Sequence, residues 1–205
     1  MAARTGQLAD ATLTIRAANE VSWDDLQKVF SSTAPASCQC QRYKMQPKEC
    51  LVRTTVEERA YRFRIQTDPS APAAEATTGL VAYLDDEPVG WCAVEPRTAY
   101  IGLVRGGRVA WTGRSENRTD DSVWAVTCFI TRAGFRRRGI ASELARAAVE
   151  FARDRGALAI EGYPMTTRNV VADELHVGTE SMFAAAGFTE VSRPSPRRVV
   201  MRIEF

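Results

Sequence analysis

The 205-residue chain has no apolar run approaching the roughly 18 uninterrupted residues that a membrane-crossing helix requires, so a cytoplasmic protein is expected. It also lacks charge of one sign. Its 27 basic and 25 acidic residues leave a net charge of +2, so no global field draws it to nucleic acid or an anionic membrane. Any basic site must be local. Lysine occurs only at positions 28, 44 and 48, leaving arginine to carry nearly all positive charge, and His176 is the single histidine. The five cysteines are odd in number and scattered, which argues against a disulfide framework and for reduced thiols. Cys38-x-Cys40 with Cys50 lacks the two paired Cys-x-x-Cys spacings of a structural zinc site, so no metal is expected. Cys128 lies in an apolar run and reads as a packing thiol rather than a nucleophile.

What is present fits one domain, residues 1–205, with a complete core. Leu13 to Arg16 alternates as a short strand, and Ser22 is a candidate N-cap for a helix through Phe30. Ser31 to Pro47, with Pro, Ser and Gln around Cys38, Cys40 and Tyr43, reads as a substrate-side loop more than a packed element. A second helix is expected over Val56 to Ile65, capped by Thr54 or Thr55, and a loop over Thr67 to Thr78. Leu80 to Leu84 and Val89 to Glu95 form a hairpin across Asp85 to Pro88. Residues 96–121, rich in Gly and Arg, read as a long irregular excursion. Val123 to Thr131 is nearly all apolar, as a central strand buried on both faces would be. Leu144, Ala147, Ala148 and Phe151 then recur at helical spacing up to Gly156. A short strand from Ala157, a helix from Met182 to Ala186 and an alternating C-terminal strand complete the chain. The order β-α-α-β-β-β-α-β-α-β predicts an α/β fold with a mixed sheet and helices on both faces.

Between the apolar strand and the amphipathic helix lies Arg136-Arg137-Arg138-Gly139-Ile140-Ala141. A Gly-containing basic turn that opens a helix gathers unpaired N–H groups and the positive end of the helix dipole, which is a cradle for phosphate. Gly139 and the small Ala141 let backbone approach the anion closely. Taken alone, three arginines read as a solvated basic loop; the flanking strand and helix favour the cradle.

Arg136-x-x-Gly139-x-Ala141 resembles the Gln/Arg-x-x-Gly-x-Gly/Ala signature of the GNAT superfamily of N-acetyltransferases, and the order of elements from Leu80 to Phe205 is similar. Glu161-Gly162-Tyr163-Pro164 with Cys38-Gln-Cys40-Gln-Arg-Tyr43 looks like an actinobacterial subgroup of largely unassigned substrate. The acetyl-CoA-binding half would span about 80–205, with 31–50 and 96–121 on the acceptor side. The resemblance implies acetyl-CoA as cosubstrate, met by Arg136, Arg137, Arg138, Gly139, Ile140, Ala141, Ser142 and Phe183, with backbone amides from Arg137 to Ser142 taking its pyrophosphate. It also implies a pantetheine arm paired with backbone of Phe129, Ile130 and Thr131. The partner would be an amine of unknown identity; a homodimer is possible.

Acetyl transfer to an amine needs a proton acceptor, because an amine with a pKa of about 10.4 is mostly protonated at neutral pH. Glu95, Glu161 and His176 are the candidates. Many family members carry a tyrosine in the helix before the Gly-Phe pair to protonate the leaving thiolate; here Phe183 stands there. Tyr163, Ser181, Thr179 or water could replace it, Tyr163 being preferred. Trp23, Tyr43, Trp91, Trp111 and Trp124 are either acceptor-pocket walls or core. Two functions are consistent with these residues: direct acetyl transfer in a ternary complex, or a degenerate fold that binds acyl-CoA as a sensor or assembly module.

Overall fold

The computed structural model describes residues 4–8, 11–31, 34–46, 48–49, 51–68, 70–71, 74, 77–166 and 170–205. Cys50 and parts of the 31–50 and 67–78 segments lie outside them. The strands are β1 (Arg4–Leu8), β2 (Ala11–Ala17), β3 (Gly79–Leu84), β4 (Glu87–Pro96), β5 (Val123–Thr131), β6 (Ala159–Gly162), β7 (Thr189–Ser195) and β8 (Arg198–Glu204). Among the described residues they form one mixed sheet in the order β1-β2-β3-β4-β5-β6-β8-β7, with only β5 and β6 parallel. The helices are α1 (Trp23–Phe30), α2 (Val56–Thr67), α3 (Ile101–Gly106), α4 (Arg108–Trp111), α5 (Ile140–Asp154) and α6 (Glu180–Ala185). None of the described helices is long and apolar enough to cross a membrane.

The pleat assigns successive side chains to opposite cores. Leu80, Ala82, Cys92 and Val94 pack with Leu144, Ala148 and Phe151 of α5. Val81, Tyr83, Trp91 and Ala93 pack with Leu26, Phe30 and Phe63 of α1 and α2. A third cluster, Tyr100, Leu103, Ala110 and Trp111, seats α3 and α4 over Ala125 and Val200. The expected excursion over 96–121 is therefore partly helical. Its two helices, of six and four residues, are too short to show a period, and the glycines hide them. Gly102 is needed there: its N–H donates to Tyr43 O at 2.8 Å, and a Cβ would lie 3.0 Å from the Tyr43 and Met45 carbonyl oxygens.

β5 positions the site. Ala93 of β4 faces Cys128, but Val94 faces Val126, so Thr127 is an extra residue that bulges the strand. On the other side, β5 pairs with β6 only from Val123↔Ala159 to Val126↔Gly162. Thr127–Thr131 thus runs on with no strand partner on its β6 side among the described residues. Phe183 of α6 fills the opening from below, fully buried and edge-on to Phe129, ring centroids 5.9 Å apart. It fits because Gly162 has no side chain: a Cβ there would lie 2.2 Å from Phe183 Cε1. Gly162→Ala should therefore destabilise the fold by about 1–3 kcal/mol through overpacking, read as a lower urea midpoint at unchanged slope. An unchanged midpoint would show that Phe183 can yield.

Candidate active site

After β5 the chain makes a tight turn at Ala133–Phe135 and enters α5 through two left-handed residues, Arg137 (φ 61°) and Gly139 (φ 79°). Side chains of Ser22, Thr55 and Thr179 cap α1, α2 and α6, whereas no side chain caps α5. The first N–H groups of a 15-residue helix are thus left for an outside acceptor.

That entrance forms one end of a cavity of about 610 Å³. Phe129, Ile130 and Thr131 make one wall; Arg136, Arg137, Gly139, Ile140, Ala141 and Ser142 make the turn. The facing wall brings in Asp173, Leu175, His176, Thr179, Ser181 and Met182. Two residues expected at the cofactor do not line it: the Arg138 guanidinium sits 5.4 Å from the centre of the Phe135 ring, and Phe183 is buried underneath. Arg136 Nε donates to Thr131 O at 3.3 Å, tying the turn to the strand.

The acid–base candidates are separated. Glu161 is fully buried and does not line the cavity. It lies 3.0 Å from Arg97 Nη1 and 2.6 Å from Arg114 Nη2, and accepts from the Tyr163 hydroxyl at 2.5 Å. Burial pushes its pKa up, but Arg114, the Tyr163 hydroxyl and Arg97 outweigh it and hold the carboxyl below its usual range. A carboxylate so neutralised is a structural anion, poorly suited to take a proton. Tyr163, preferred as the acid, has its proton committed to Glu161 and its pKa raised, chiefly by burial and then by Glu161; it is absent from the cavity wall. Glu95 also lies off the cavity, half-buried, with Lys44 Nζ at 2.5 Å; desolvation raises its pKa against the pull of Lys44.

His176 is the candidate that faces the cavity. Its Nδ1 lies 2.8 Å from the carbonyl oxygen of Asp173. A carbonyl only accepts, so Nδ1 carries the proton of the neutral ring and Nε2 keeps the lone pair. Nε2 is buried and has no hydrogen-bond partner among the described residues. Burial holds the imidazole below its ordinary 6.5, with the fields of Arg42 and Arg198 adding to it against the opposing Asp173 contact. The neutral form of the ring is therefore favoured. The aromatic candidates divide differently: Trp91, Trp111 and Trp124 are core, Trp23 and Tyr43 are half-buried, and none lines the cavity.

A family model described as the acetyltransferase (GNAT) family matches residues 46–176, more than half of the chain. The chain belongs to the GNAT family. Searching curated protein sequences finds no match. Among solved structures, the GNAT domain of S. lividans PAT is similar over 99% of this chain and 97% of that one, at 15% identity and a TM-score of 0.57. An aminoglycoside acetyltransferase, AAC(6')-Ib, solved with coenzyme A, is similar over 94% of each chain, at 19% identity and TM-score 0.52. YncA of Salmonella typhimurium, solved with acetyl-CoA, is similar over 94% of this chain and 93% of that one, at 11% identity and TM-score 0.53. At these identities the likeness is one of fold.

In this GNAT chain, sequence reasoning passes over Phe135, Asp173, Leu175, Met182 and Ala185, which complete the cavity wall. It also misses Arg97 and Arg114, whose pairing with Glu161 spans 64 and 47 residues of sequence. Thr179 has a local signal, since it caps α6 by accepting from Met182 N–H.

Proposed function

We propose that the cavity binds acetyl-CoA and that the protein moves its acetyl group directly to an amine within a ternary complex, in the cytoplasm. The observation that carries this is one cavity joining the uncapped left-handed entrance of α5 to the unpartnered edge of β5. Amides from Arg137 to Ser142 would hold the pyrophosphate, and backbone of Phe129, Ile130 and Thr131 the pantetheine arm. Bound there, acetyl-CoA supplies an activated thioester. A backbone N–H near Ile130 or Thr131 stabilises negative charge on the acyl oxygen. Nε2 of His176 takes the amine proton. Hydroxyls of Thr179 and Ser181, 3.2 Å apart on the wall, stand where Phe183 offers none. A thiolate with a pKa near ~8.5 can leave without full protonation.

Acetyl-CoA-dependent thiol release, assayed over a panel of amines, tests the reading. His176→Ala should lower the rate roughly 10²–10⁴-fold and abolish the acidic limb of its pH profile. An acidic limb that survives the substitution would remove His176 as base. Phe183 favours a second reading, an acyl-CoA sensor without turnover; coenzyme A binding with no acceptor-dependent thiol release would select it.

A further inference from the structure

In an acyl transfer of the kind proposed, the acceptor must reach His176 Nε2, and the charges around that nitrogen choose among amines. His176 belongs to the turn Ala172–Val177, which packs against the turn Ala34–Cys38 and leads into Thr179 on the cavity wall. Met165 bridges Thr179 on one side and Arg198 on the other. Arg198 therefore opens β8 one bridge away from the wall. Its Nε is buried and has no hydrogen-bond partner among the described residues. Arg42, four residues beyond the turn Ala34–Cys38, is exposed and forms no ion pair among the described residues.

Nearby carboxylates are largely committed. Glu95 pairs with Lys44, Glu161 with Arg97 and Arg114, Glu174 with Arg197, and Glu180 with Arg193. Glu174 also feels the field of Arg198. Among the described residues, Asp173 alone lines the cavity as a carboxylate without an ion pair, while Arg42 and Arg198 lie outside that lining, Arg198 one bridge from it through Met165. Both arginines act on the imidazole itself, adding to the effect of burial. A polycationic acceptor would meet one free carboxylate and two like charges. An amine carrying its own carboxylate would supply the anion that a guanidinium fork is shaped to receive.

We infer, resting on the acyl-transfer reading, that the acceptor is an amine bearing a carboxylate, held by Arg198 and Arg42 while its nitrogen meets His176. A free amino acid and the N-terminus of an acidic peptide share this chemistry. The test is calorimetric binding to the full chain loaded with coenzyme A, using amines matched with and without the carboxylate: phenylalanine and phenethylamine, tyrosine and tyramine, methionine and 3-(methylthio)propylamine. A Glu-Ala-Ala peptide separates the two sources, and spermidine represents the polycations.

The carboxylate member should bind roughly tenfold to a hundredfold tighter in at least one pair, or the peptide should bind as tightly, and spermidine should bind weakest. Arg198→Gln should shrink the preference to near unity. The exposed Arg42→Glu, which carries little folding risk, should reduce or reverse it, while acetyl-CoA affinity stays unchanged in both variants. Equal affinity within every pair, or tightest binding by spermidine, overturns the inference and leaves acyl transfer standing. Failure of the wild type to bind coenzyme A overturns the acyl-transfer reading, and the inference with it.

Discussion

Glu161→Ala is expected to lower folding stability by about 3–5 kcal/mol. Arg97 is fully buried and Arg114 nearly so, and both guanidiniums stand over the Trp111 ring at 4.9 and 5.4 Å from its centre. Without Glu161 they are left close together in a poorly solvated place, and the Tyr163 hydroxyl loses its acceptor. The damage should spread to α3 and α4, which Trp111 and Tyr100 anchor to the sheet. Urea denaturation of wild type, Glu161→Ala and Glu161→Gln measures this; the isosteric Gln variant isolates the charge. The folded-state pKa of Glu161 lies below its ordinary value, so its contribution is fully present above the unfolded-state pKa of about 4.3 and fades as pH falls through the folded value. The stability gap between wild type and variant should narrow in acid accordingly. A stable but slow Glu161→Gln enzyme would return Glu161 to the role of base.

Gly139→Glu should weaken acetyl-CoA binding roughly a hundredfold or more while the protein stays folded. At φ 79° any L side chain incurs about 1–2 kcal/mol of backbone strain. That loss is bearable at an exposed turn, but the added carboxylate sits at the uncapped start of α5, where the pyrophosphate is proposed to lie. Gly139→Ala carries the strain without the charge and should lose far less affinity. Calorimetric titration of all three proteins, with circular dichroism as the control for folding, separates the contributions. Wild-type affinity in Gly139→Glu would sink the cradle.

Much of this was legible in the sequence, for definite physical reasons. Residues 123–131 and 140–154 announce themselves because a strand buried on both faces is continuously apolar and a core-facing helix shows one stripe. The turn between them reads as a cradle because Gly139 and three arginines interrupt that pattern. β1 and β7 escape notice because edge strands need no apolar face: β7 reads Thr-Glu-Val-Ser-Arg-Pro-Ser and even admits Pro194. Choosing between Glu161 and His176 was beyond sequence, since it depends on which arginines converge from distant segments and on which imidazole nitrogen the Asp173 carbonyl engages. Phe183 marks both sides. Its identity at the family's tyrosine position is plain in the sequence, while its wedge between Gly162 and Phe129 is visible only in the fold.

The most direct measurement is thiol release from acetyl-CoA across pH, with and without added amines, for wild type and His176→Ala. The expected result is release that requires an amine, falls in acid with an apparent midpoint below 6.5, and loses that limb in the variant. Release that no amine accelerates, from a protein that nonetheless binds coenzyme A, would contradict acetyl transfer.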